Sequence, residues 1–119
     1  MRRDTFELVI GVNPGYFHDN ECTSALQAVI DAWDRVSVDP PHYIPAVMSL
    51  AKVVYRKEWG CPEGGEDVVV IKGSRNPAFA PDDYDWSVDV MAQCMRLREE
   101  LRQTTATLTF SEADFYYLK

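Results

Sequence analysis

The order of hydrophobic patterns along the chain predicts an α+β sandwich, and three observations carry that prediction. Strand-like and helix-like segments alternate as strand–helix–strand–strand–helix–strand. The first and last strand segments alternate apolar with polar residues, so each has one core side and one open side. A chain of 119 residues is the size of one domain with one core.

The first strand is expected over residues 6–12. Phe6, Leu8, Ile10 and Val12 point one way, and Thr5, Glu7, Val9 and Gly11 the other. Asn13-Pro14-Gly15 ends it. A helix follows over 22–36, with Asp19, Asn20 and Thr23 as candidate N-caps. Its apolar positions, Cys22, Ala25, Leu26, Val29, Ile30, Trp33 and Val36, recur at spacings of three and four on one face. Pro40-Pro41 stops it.

Residues 47–55 read as the second strand, because Val47, Val53, Val54 and Tyr55 favour extended backbone. The nearly continuous apolar run 46–54 also fits a helix, and a bulge would fall at 49–51. Residues 60–65 form the tip of a hairpin. Its return strand, Val68-Val69-Val70-Ile71, has four successive β-favouring apolar residues, the pattern of a central strand buried on both faces. A loop over 73–83 carries Pro77 and Pro81.

The second helix is expected over 86–101. Asp82, Asp83, Asp85 and Asp89 crowd its start and Arg96, Arg98 and Arg102 its end, which complements the helix dipole. Val88, Met91, Cys94, Met95 and Leu101 are read as its core stripe, widened by Val90 and Leu97. In the last strand, 106–110, Ala106, Leu108 and Phe110 face the core, and Thr105, Thr107 and Thr109 face away. The apolar tail 115–118 is expected to pack on the domain or on a neighbouring subunit. Two strand–helix–strand units joined by a hairpin satisfy the crossover rule as a ferredoxin-like βαββαβ sandwich. Its four-stranded antiparallel sheet carries both helices on one face.

The formal net charge is −7. Such acidity disfavours nucleic acid and anionic membrane, which are bound through Lys and Arg. No stretch is long and apolar enough to span a bilayer, and no signal-peptide pattern opens the chain. Cys22, Cys61 and Cys94 form no CxxC pair, which fits free thiols in a reducing cytoplasm.

Candidate sites are few. Tyr55 and Trp59, near the hairpin, are apolar anchors for a partner. Asp82, Asp83, Asp85 and Asp89 offer an acidic docking edge. Lys72, Ser74 and Arg75 form the one locally basic loop and a weak anion site. Cys61 has Glu58, Glu63 and Glu66 as sequence neighbours, which work against a reactive thiolate. His18, Asp19, Glu21 and Cys22 match no zinc spacing, and His42 stands apart from them. No metal or cofactor is expected.

These features make a non-enzymatic, protein-binding domain the first expectation: an inhibitor or immunity-type protein docking on a basic surface of a protein partner. A second reading is a ligand-binding protein or cofactor-independent enzyme. Its pocket would form as two copies pair through their sheets, with Glu7, Tyr55, His18 and His42 as acid–base candidates. A third is a structural subunit of a viral or secretion assembly.

Overall fold

A computed structural model describes residues 1–12, 25–37 and 43–119. Strands β1 (Thr5–Gly11), β2 (Val47–Val53), β3 (Glu66–Ser74) and β4 (Ala106–Ser111) form one antiparallel sheet in the order β2-β3-β1-β4. Helices α1 (Ala25–Val36) and α2 (Asp83–Glu100) complete the ferredoxin-like arrangement. Phe6, Leu8 and Ile10 of β1 and Val69 and Ile71 of β3 meet Val29 and Trp33 of α1 and Val90, Cys94 and Leu97 of α2 in one core. Phe6 stacks on Trp33, and Trp86 sets its ring edge against Phe110. The Trp33 indole donates to the Ile44 carbonyl at 3.1 Å, so this large ring is buried without orphaning its N–H.

The first and last strands sit where alternation places them. Segment 47–53 is a strand, paired residue for residue with β3 from Val47↔Lys72 to Val53↔Glu66, without a bulge. Beyond it the chain turns away. Residues Lys57–Trp59 form one 3-10 turn, closed by Gly60 in the left-handed region at φ 99°. The return strand is longer than its apolar run and takes in Glu66, Asp67, Lys72, Gly73 and Ser74. It lies inside the sheet, between β2 and β1, with Val68, Val69 and Ile71 buried.

One packing expectation is corrected and another is narrowed. The core side of α2 is Trp86, Val90, Cys94, Leu97 and Leu101, whereas Val88, Met91 and Met95 are exposed. Helix α2 carries apolar residues on two faces, so spacing alone does not choose the buried one. Of the two places expected for the tail, the domain is not the one: Tyr116, Tyr117 and Leu118 stand exposed on it. Among the described residues, no helix is long and apolar enough to cross a membrane.

Candidate functional site

Both helices pack on one side of the sheet, and among the described residues no α-helix lies on the other, open side. The register places Thr5, Glu7, Val9 and Gly11 of β1 on this open face. Beside them lie Glu66, Val68, Val70, Lys72 and Ser74 of β3 and Thr107, Thr109 and Ser111 of β4. Its middle is apolar, and polar groups gather at both ends.

At one end, Lys72 Nζ lies 3.4 Å from Glu7 Oε1, in a pair that is about half exposed on both sides. Thr5, Ser74, Thr109 and Ser111 surround the pair, and with Val47 they border a trough of about 720 Å³. At the other end, just past β2, the Tyr55 hydroxyl donates to Glu66 Oε1 at 2.9 Å. The Tyr55 backbone N–H donates to Cys61 Sγ at 3.5 Å, so the hairpin tip folds back to hold the residue carrying the phenol. The Tyr55 phenol is held above its ordinary pKa. The hydrogen bond to Glu66 is the main cause, followed by burial and by the electrostatic influence of Glu66 and Cys61.

The two ends lie six residues apart on β3, about 20 Å at strand rise. They differ chemically. Glu7 has its charge answered by Lys72. Among the described residues, Glu66 is bonded by a neutral phenol and enters no ion pair, so its negative charge is left over for a cation.

The other expected site residues are dispersed. Asp82 caps α2, accepting from the backbone N–H groups of Tyr84 at 2.9 Å and Asp85 at 3.2 Å. Asp83 accepts from the backbone N–H of Arg3. These acids, with Asp85 and Asp89 in the turns that follow, gather where β1 begins; Tyr55 and Glu66 lie where β1 ends. Trp59 is exposed, with the Arg56 guanidinium 5.7 Å from its ring centre. The acidic edge and the aromatic anchors therefore do not form one docking surface.

The basic loop is also divided. Lys72 and Ser74 face the open side, but Arg75 turns inward and is 9% exposed. It donates to Asp4 Oδ1 at 2.9 Å and to the Ala80 carbonyl at 2.7 Å, so its guanidinium ties β1 to the segment entering α2. The Asp4 carboxyl is held below its ordinary pKa, first by the Ala113 backbone N–H and then by Arg75. Burial pushes the Cys94 thiol up to about 12, as suits a core cysteine. Cys61 is partly buried. His18, Asp19, Glu21, Cys22 and His42 lie outside the described residues. Among those described, no group of three or more His, Cys, Asp and Glu could hold a metal ion.

Glu66 is the residue that reading the sequence missed. It counted there only as a neighbour of Cys61. The available signal was its place at the neck of the hairpin, where a strand leaving through Tyr55 and a strand returning through Glu66 must approach each other.

Two solved structures share the fold. One is described as a phage SAM lyase in complex with S-methyl-5'-thioadenosine; it is 18% identical, with a TM-score of 0.54, over 92% of this chain and 81% of that one. The other is a phage SAM lyase in the apo state; it is 18% identical, with a TM-score of 0.56, over 98% of this chain and 94% of that one. At this identity the likeness establishes the fold. No curated protein matches the chain.

A family model described as SAM lyase matches residues 1–119. This overturns the expectation of a non-enzymatic inhibitor or immunity-type protein, because the family is one of enzymes. The absence of metal-ligand, nucleophile and phosphate-loop motifs in the sequence is not the absence of a catalytic site. Chemistry that needs none of these leaves no such motif. Of the three readings, only the second admits an enzyme. With the match running over the whole sequence, the chain belongs to the SAM lyase family.

Proposed function

We propose that this protein cleaves S-adenosylmethionine to S-methyl-5'-thioadenosine and homoserine lactone, with Glu66 and Tyr55 at the reacting end of the substrate. The observation that carries this reading is the family match over the full chain. The thioadenosine bound to one fold relative supports the choice of product.

The chemistry follows from the substrate. Its sulfur is a sulfonium, so the thioether is already a good leaving group. The substrate's own carboxylate can attack its γ-carbon and close a five-membered ring. The carbon–sulfur bond breaks, its electron pair returns to sulfur, and neutral thioadenosine departs. The ammonium keeps its proton, water is not consumed, and charge balances. β-Elimination would balance too, but it needs a base strong enough to remove an unactivated proton. A carboxylate is a weak base for that. Ring closure asks the protein chiefly to fold the substrate and hold it, which is the domain of proximity and orientation.

Glu66 suits this task. It offers its negative charge to the sulfonium and ammonium groups, while Tyr55 fixes the carboxylate and donates without adding charge. The overall charge of −7 favours arrival of a cationic substrate. The partner is thus a small molecule, with pairing of two copies through the open sheet face serving to close the site from water. A cytoplasmic location belongs to the same reading, since three cysteines without a disulfide framework suit a reducing compartment.

The test is release of thioadenosine from S-adenosylmethionine, followed by chromatography against a protein-free control. Release well above the control by the wild type, and a loss of about 100-fold in Glu66→Gln, is expected. No release by a folded wild-type protein would refute the activity. Full activity in the variant would refute the role of Glu66.

A further inference from the structure

Gly11 ends β1 on the open face, opposite Val68 of β3. Glu66 lies two residues from Val68 on the same face, which makes it the diagonal neighbour of Gly11, within reach of a long side chain. A β-carbon on Gly11 would stand 2.9 Å from Glu66 Oε2 and 3.1 Å from Gln103 Oε1. Ordinary contact begins near 3.4 Å, so both side chains would have to withdraw. The Gln103 amide is itself tied down, donating from Nε2 to the Leu101 carbonyl at 3.2 Å.

Backbone conformation does not account for a glycine here. The glycines with positive φ are Gly60, Gly64 and Gly65; Gly11 is not among them, and an L-residue fits its backbone. The space above it is what a side chain would take, and the Glu66 carboxylate occupies that space. Two neighbours hold this carboxylate: the Tyr55 hydroxyl on Oε1 and Gly11 under Oε2.

We infer that Gly11 is a positioning residue, which sets the place of the Glu66 carboxylate by leaving room for its second oxygen. Its bearing on catalysis rests on the proposed role of Glu66. The displaced atom is the far end of a flexible side chain, so the fold can absorb a methyl group at position 11. Alanine is also a better strand residue than glycine. The damage falls on geometry: a carboxylate moved by about half an ångström leaves the tolerance within which a reacting group works.

The experiment is Gly11→Ala, read three ways. The melting temperature is expected to stay level or rise, which shows the variant folded. Titration of Tyr55, followed by NMR with a carbon-13 label on its ring, is expected to move down toward 10.0, because the displaced Glu66 raises it less. The turnover number is expected to fall about tenfold, with a smaller change in KM. A Tyr55 titration equal to the wild type in the folded variant would overturn the inference, whatever the activity. A shifted titration with unchanged turnover would uphold the placement by Gly11 and refute the catalytic role of Glu66 instead.

Discussion

Glu66 and Glu7 are the same residue type on the same sheet face, yet their neighbours give them different uses. Lys72 answers the charge of Glu7, and the neutral phenol of Tyr55 leaves the charge of Glu66 available. Tyr55→Phe keeps the ring and removes the donor, so turnover is expected to drop about 10- to 100-fold with little change in melting temperature. Steady-state kinetics beside a thermal melt checks this. Asp4 gives a pH prediction at the same scale. Its carboxyl has a lowered pKa in the folded protein and an ordinary one, 3.8, when unfolded. Between those values the unfolded chain binds more protons, so the contribution of Asp4 is complete above about pH 5. It is lost as pH falls through the folded-state pKa. Urea unfolding from pH 6 to pH 2 is expected to show a steeper acid loss in the wild type than in Asp4→Asn. Equal slopes would mean that the pairs of Asp4 with Ala113 and Arg75 carry no pH-dependent stability.

At the scale of elements, α2 shows which part of the fold the sequence makes legible. Its end and its dipole-complementing charges follow from residue types alone, whereas its start at Asp83, three residues before the expected 86, shows only with the Asp82 cap. Its buried side does not follow from them either, because Val88, Met91 and Met95 are as apolar as the residues that enter the core. Packing partners decide that question, and they come from β1 and α1, far away in sequence. Leu97→Ala is therefore expected to destabilise by about 2–5 kcal/mol, and Met95→Gln by less than about 0.5 kcal/mol. Chemical denaturation of both variants tests the assignment, and the reverse ranking would contradict it. The hairpin teaches the same lesson about the site. Tyr55 stands out by its chemistry, whereas Glu66 gains meaning only once β2 and β3 are in register and its oxygens lie against Tyr55 and Gly11.

At the scale of the molecule, the strand–helix order was readable because periodicity reports burial directly. The activity was not, because its chemistry makes small demands on residue type. In the proposed reaction a sulfonium substrate brings its own leaving group and its own nucleophile, and asks the protein only for shape, a carboxylate and exclusion of water. An acidic domain with one open sheet face can supply these without a recognisable catalytic motif. The central claim is thus that the chain breaks a carbon–sulfur bond by ring closure without using water. Reaction in oxygen-18 water, with the oxygen on the γ-carbon of the four-carbon product traced by mass spectrometry, tests it most directly. Ring closure predicts thioadenosine above the protein-free rate and an unlabelled γ-oxygen, even after the lactone opens at its carbonyl. Label on the γ-oxygen of the first product, or no thioadenosine above the control, would contradict it.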